Sequence, residues 1–177
     1  MSVVVDVPGA NIKDSVKPLN QTQCAYHSLS VSISYTYKDG GKVLICGNGG
    51  LASEAEHFTA ELMGKYGRDV YIPCISLTCP SSLVTAWSND VGFEDVFAHQ
   101  VRVLGNDDDV FIGLTTSASP NILKACNEAR NQGMYVYLID RLMVGGEGVA
   151  EIQENIIKFL HKVALEAKEL CVENPAH

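Results

Sequence analysis

The sequence predicts an α/β fold built on an open parallel sheet, and three features carry that prediction. Short, continuous apolar runs alternate with longer stretches of helical periodicity. A glycine-rich turn, Cys46-Gly47-Asn48-Gly49-Gly50, follows the first of those runs. A hydroxyl-rich turn, Thr115-Thr116-Ser117-Ala118-Ser119-Pro120-Asn121, follows another. In such sheets ligands bind beyond the carboxyl ends of the strands, where turns of this kind lie.

The elements follow in order. Residues 10–38 carry Val16, Leu19, Ala25, Leu29, Ile33 and Tyr37 at helical spacing and are expected to form an N-terminal helical segment. Lys42-Val43-Leu44-Ile45-Cys46, bounded by glycines, reads as a buried parallel strand. Ala52 to Tyr66 reads as a helix with Ala55, Phe58, Leu62 and Met63 on its buried side, and Val70 to Leu77 as the second strand. Ser81–Ser88 and Phe93–Leu104 are expected to be helical, separated by Asn89-Asp90. Asp109 to Leu114 is the third strand, a helix runs to about Gln132, and Met134 to Ile139 is the fourth strand. Arg141 to Gly148 is expected to be irregular and 149–171 a long amphipathic helix, with a frayed tail from Val172. The sheet core thus spans 40–140 and the whole chain, 1–177, is expected to be one domain.

Composition narrows the function. The 177 residues, with 46% hydrophobic and 19% charged, suit one globular domain with a substantial core. A net charge of −8 and the absence of a Lys/Arg run argue against nucleic acid and anionic membranes as partners. No stretch approaches the roughly 20 apolar residues of a membrane span. Met1 to Pro8 lacks a basic start and is broken at Asp6, which does not suit a signal peptide. The six cysteines lie scattered, as expected of buried free thiols in a reducing cytoplasm.

Chemistry concentrates in a few places. His57 and Glu61 stand four residues apart on one helix; Gln153 and His161 stand on another. Each pair can look into one cavity, so two imidazoles, a carboxylate and an amide can converge on a metal or a proton-transfer site. Each residue alone would be a structural histidine or a solvated side chain; the spacing is what favours a site. His27, His99 and His177 lack such partners and are assigned to surface or packing. Around Asn48, Gly49 and Gly50 the missing Cβ atoms allow a ligand to approach the backbone, although tight turns need glycine for other reasons too. Thr115, Thr116, Ser117 and Ser119 next to a helix N-terminus favour an anion such as phosphate over a simple cap. The lack of a Gly-Lys-Ser/Thr loop does not favour nucleotide hydrolysis.

Taken together these motifs resemble the sugar-isomerase (SIS) domain of the phosphoheptose isomerases. The resemblance rests on Cys46–Gly50 with Ala52–Leu62, on Asn89-Asp90-Val91-Gly92-Phe93, on the 115–121 turn, and on Ile152-Gln153-Glu154 with His161. It implies a single SIS domain, a doubly wound parallel sheet flanked by helices as a flavodoxin-like three-layer sandwich. It further implies His57, Glu61, Gln153 and His161 as zinc ligands, and Glu61 and His161 as the acid–base pair. Asn48, Gly49, Gly50, Asn89, Asp90, Thr115, Thr116, Ser117, Ser119 and Gln153 would then contact substrate. The implied reaction is the interconversion of sedoheptulose 7-phosphate and D-glycero-D-manno-heptose 7-phosphate, for lipopolysaccharide precursors, by a cytoplasmic homotetramer with shared active sites. Thr116-Ser117-Ala118-Ser119-Pro120-Asn121 is one residue shorter than the family's usual Thr-Ser-Gly-Asn-Ser-Pro-Asn, with Ala118 where Gly-Asn would stand. A non-catalytic SIS phosphosugar-binding or protein-interaction module, and an isomerase for another sugar phosphate, are the alternatives. The joint presence of Glu61 and His161 speaks against the first of these.

Overall fold

A computed structural model describes residues 21–173. The expectations for residues 10–20 and 174–177, His177 included, lie outside the described residues. Helix α1 (Gln21–Lys38) leads into β1 (Val43–Cys46), α2 (Gly50–Met63), β2 (Cys74–Ser76) and α3 (Ser81–Asp90). A 3₁₀ turn (Phe93–Asp95), α4 (Val96–Leu104), β3 (Val110–Leu114), α5 (Pro120–Asn131), β4 (Tyr135–Ile139), α6 (Arg141–Val144) and α7 (Val149–Glu173) follow.

The four strands form one parallel sheet in the order β2-β1-β3-β4. From β1 the chain moves outward to β2, then crosses back to β3 on β1's other side. The order therefore reverses between β1 and β3, where Cys46 pairs with Gly113. That is the switch point at which open α/β sheets bind ligands, and it sets the glycine turn beside the hydroxyl turn. Every residue of β1 and β3 is buried, as expected of central strands covered on both faces.

Strand side chains alternate between two cores. Val43, Ile45, Val110, Ile112 and Ile139 pack with Leu29 and Ile33 of α1, Phe58 and Leu62 of α2, and Leu160 and Val163 of α7. On the opposite face Leu44, Cys46 and Phe111 pack with Phe97 and Val101 of α4 and Ile122 and Cys126 of α5. The open parallel α/β sheet predicted from the alternation is observed, in the three layers that the resemblance implies.

Several boundaries differ from expectation for physical reasons. Met63 is 53% exposed, not buried; it lies about 100° around α2 from Leu62 and so leaves the stripe made by Ala55, Phe58 and Leu62. The second strand is shorter than 70–77, because Pro73 has no N–H and Ile72 N donates instead to Leu62 O at the end of α2. Asn89 and Asp90 form the last turn of α3 rather than a break after it. Residues 141–144 are helical: Asp140 Oδ1 accepts from Leu142 N and Met143 N, and Gly145 at φ 77° ends the turn. Val172 and Glu173 continue α7.

No disulfide forms among the described residues, and Cys24 and Cys79 are exposed rather than buried. Burial pushes the Cys74 thiol up to about 12 and the Cys126 thiol to about 11, so both stay protonated and inert at neutral pH. His27 does have a partner, Glu166 Oε1 at 2.7 Å, which ties α1 to α7. His99 stacks on Trp87 with centroids 3.5 Å apart.

Candidate active site

Helices α2 and α7 run side by side in the same direction, touching once every two turns or so. An added Cβ on Gly50 would meet Gln153 Nε2 at 2.5 Å. His57 meets His161, with their Nε2 atoms 3.1 Å apart. Gly64, just past the end of α2, accepts a hydrogen bond from Lys168 Nζ at 2.6 Å. The helix pair therefore presents three stations at different heights.

The middle station is a triangle. Glu61 Oε1 lies 2.9 Å from His57 Nε2 and 2.9 Å from His161 Nε2. Glu61 is buried while both histidines are half open to solvent. Tyr66 flanks His161, ring centroids 5.7 Å apart, and burial with the nearby Glu61 charge holds its phenol above the usual range. Two imidazole nitrogens and a carboxylate oxygen at such mutual distances need a shared proton or a cation between them. These separations approach those of adjacent ligands around tetrahedral zinc, about 3.3 Å for bonds of about 2.0–2.1 Å. Glu61 Oε2 is buried and accepts no hydrogen bond from the described residues. Two imidazoles and one carboxylate leave a fourth position for water or substrate, as in catalytic zinc sites. The donor set fits a divalent metal.

The upper station lies at the carboxyl edge of the sheet. Gly49 adopts φ 59°, and an added Cβ on Gly47 would meet Leu51 O at 2.4 Å, so the turn after β1 is built for glycine. Asn48 and Asn121 exchange two amide hydrogen bonds, 2.8 and 2.9 Å, and lock the glycine turn to the hydroxyl turn. Asn48, expected as a sugar contact, thus has a structural duty as well. Asn121, buried and not singled out from sequence, is its partner. The signal was present: it is the first polar residue after Pro120, on the strand-facing side of α5.

Within the hydroxyl turn the four hydroxyls differ. Thr115 is buried, and its Oγ1 accepts from Ser117 N at 3.3 Å and Ser119 N at 3.1 Å, so it organises the loop from within. Thr116, Ser117 and Ser119 remain at least partly exposed, and Ser119 Oγ accepts from Thr115 Oγ1 at 3.5 Å without bonding the amides of α5. Ala118 sits at φ 55°, a conformation that disfavours a side chain by about 1–2 kcal/mol. Being exposed, it gives up no packing on losing its methyl. Ala118→Gly should therefore stabilise the fold by about 0.5–1 kcal/mol after the extra freedom of glycine in the unfolded chain is counted. A shift of the denaturation midpoint to higher urea at unchanged slope checks this.

Gln153 has its amide beside Gly50, at the glycine turn, two turns before His161 on α7. Asn89 and Asp90 are exposed and bonded to each other at 2.8 Å, in the last turn of α3. The triangle itself lies about 10 Å or more down α2 from Gly50.

Comparison with known proteins shows the family. The SIS domain family matches residues 10–139. A phosphoheptose isomerase of Campylobacter jejuni is 44% identical over 139 residues, 70% of this chain and 75% of that protein. The chain belongs to the SIS-domain phosphoheptose isomerases. A Helicobacter pylori phosphoheptose isomerase is 52% identical over 101 residues, 56% of this chain and 53% of its own length. The solved phosphoheptose isomerase of Francisella tularensis superimposes with a TM-score of 0.77 at 32% identity, covering 82% of this chain and 86% of its own. That of Neisseria gonorrhoeae gives 0.71 at 29% identity, covering 84% and 90%. The glycine turn, the hydroxyl turn, His57 and Glu61 lie within residues 10–139 that match the family, and His161 on α7 lies beyond them. Among the described residues no helix is long and apolar enough to cross a membrane.

Proposed function

We propose that this isomerase interconverts sedoheptulose 7-phosphate and D-glycero-D-manno-heptose 7-phosphate through an enediol, as a step towards bacterial glycans such as lipopolysaccharide. The observation that carries the reading is the buried Glu61 carboxylate held between two imidazoles. Glu61 removes the proton from C1 of the open-chain ketose while the electron pair moves into a C1–C2 double bond and the C2 oxygen takes a proton from His161. Return of the carbon-bound proton to C2, with loss of the O1 proton, gives the aldose. One carboxylate can serve both adjacent carbons, because they share a face of the planar enediol. Thr116, Ser117 and Ser119, with the first amides of α5, hold the phosphate. Asn48, Gly49, Gly50, Gln153, Asn89 and Asp90 shape the sugar site.

His57, Glu61 and His161 would hold a zinc ion, which polarises carbonyl and hydroxyl oxygens and lowers the pKa of a bound water when present. Gln153, two turns before His161 on the same helix, would be the fourth ligand. We infer a cytoplasmic homotetramer in which neighbouring copies complete each site. The height difference between triangle and phosphate turn supports this, as does α3, which buries no residue and leaves Leu83, Val91 and Phe93 exposed around its length and end.

The test is turnover of a panel of phosphorylated ketoses of five to seven carbons, with and without chelator. Preference for the seven-carbon ketose, lost with chelator and regained with zinc, is the expected outcome. Turnover of only a shorter ketose would overturn the substrate assignment, and full activity in chelator would overturn the metal.

A further inference from the structure

Lys168 is fully buried, which lysine almost never is unless its ammonium is engaged. It lies seven residues beyond His161 on α7, two turns on and on nearly the same face. Its Nζ donates to Gly64 O at 2.6 Å, three residues past Glu61 and just beyond the end of α2. Two further carbonyls of that last turn accept backbone hydrogen bonds: Ala60 O from Gly64 N and Leu62 O from Ile72 N. The segment after α2 also rests on α7. Tyr66 packs against His161, an added Cβ on Gly67 would meet Leu165 Cδ2 at 2.4 Å, and Arg68 pairs with Glu169 at 3.2 Å. The Arg68–Glu169 pair is exposed and holds little. Lys168 is the buried polar tie in this seam.

The tie has an electrostatic side. A cation is favoured at a helix C-terminus, where unpaired carbonyls carry partial negative charge. Burial lowers the Lys168 pKa, and the charges of Glu61 and Asp69 work against that lowering. The ammonium thus sits where it steadies both the end of α2 and the carboxylate one turn earlier.

We propose that Lys168 is a positioning residue for the triangle: by binding Gly64 O it fixes the last turn of α2 against α7, so that Glu61 Oε1 lies at equal distance from His57 and His161. This rests on the reading of the triangle as the metal and proton-transfer site. Nothing in the reaction requires Lys168 to touch substrate. An apolar side chain would fill the same space with less desolvation, so packing alone does not explain a lysine there.

The experiment uses Lys168→Met, which keeps the volume but leaves Gly64 O unpaired, and Lys168→Gln, whose amide stops about one bond short of it. Both are compared with the full-length wild type at a temperature where circular dichroism shows them folded; either one suffices. Two readouts are taken: the imidazole ¹⁵N shifts of His57 and His161 in metal-free protein, and the affinity for cobalt(II). The expected result is displaced shifts for both histidines and affinity lowered about 10–100-fold, the usual effect of removing an outer-shell support. A folded variant with wild-type imidazole shifts overturns the proposal, even if its melting temperature falls. Wild-type protein that takes no cobalt(II) would count against the metal reading alone, and the shifts would still decide the role of Lys168.

Discussion

Glu61→Gln should lower kcat by about 10²–10⁴-fold, the range that a positioned acid–base group contributes, with little change in fold. The substitution is nearly isosteric and leaves α2's apolar stripe untouched, so Phe58 and Leu62 stay packed in the core. The amide NH₂ can still meet one imidazole, so a buried polar group is not stranded. The amide has no basicity to accept a carbon-bound proton. It also removes the negative charge that two half-exposed histidines and a metal ion would share. Loss of kcat with a KM changed less than about tenfold is therefore expected, because the phosphate turn at 115–119 lies on a different strand end. The measurement is steady-state turnover at saturating zinc beside a thermal melt. Turnover within a few-fold of wild type in a folded variant would remove Glu61 from the chemistry.

How much of this was legible in the sequence depends on the kind of signal. Val43–Cys46 and Val110–Leu114 declare themselves, because a strand buried on both faces has to be apolar throughout. The glycine and hydroxyl turns declare themselves because their backbones need particular residues, and β1–β3 adjacency then brings them together. His57 and Glu61 meet as a spacing of four residues, about one turn, implies. The contact of the Gln153 amide with Gly50 depends on how α7 packs on α2, which spacing along one helix does not report. Lys168 was illegible for a different reason: a lysine inside an amphipathic repeat reads as solvent-facing, and only the path of residues 64–68 across α7 buries it. Asn121 was hidden by its neighbours, since the eye goes to the hydroxyls before it, whereas its pairing with Asn48 depends on which strands are adjacent. Pro73 was readable as a limit on β2, as a residue without an N–H cannot continue a ladder.

The two histidines of the triangle should fail in different ways. His57 offers Nε2 to the ion and is the more exposed of the pair, on a helix face that tolerates alanine. His57→Ala should weaken zinc binding by more than about 100-fold, a direct ligand counting for more than the 10–100-fold of an outer-shell group. Turnover should then recover as zinc is raised, because the remaining groups still carry the protons. His161 has the same geometry towards Glu61 and in addition moves the oxygen-bound protons of the enediol. His161→Ala should therefore lose metal affinity to a similar degree, yet stay about 10²–10⁴-fold below wild type even at saturating zinc. The check is kcat against free zinc for wild type and both variants, with binding followed separately by competition with a chromophoric chelator. If His161→Ala recovers with zinc as fully as His57→Ala does, the histidine on α7 is only a ligand, and the oxygen-bound protons must pass through solvent or another side chain. If His57→Ala fails to recover while binding metal normally, the acid–base partner of Glu61 is on its own helix, and the roles of the two imidazoles are reversed.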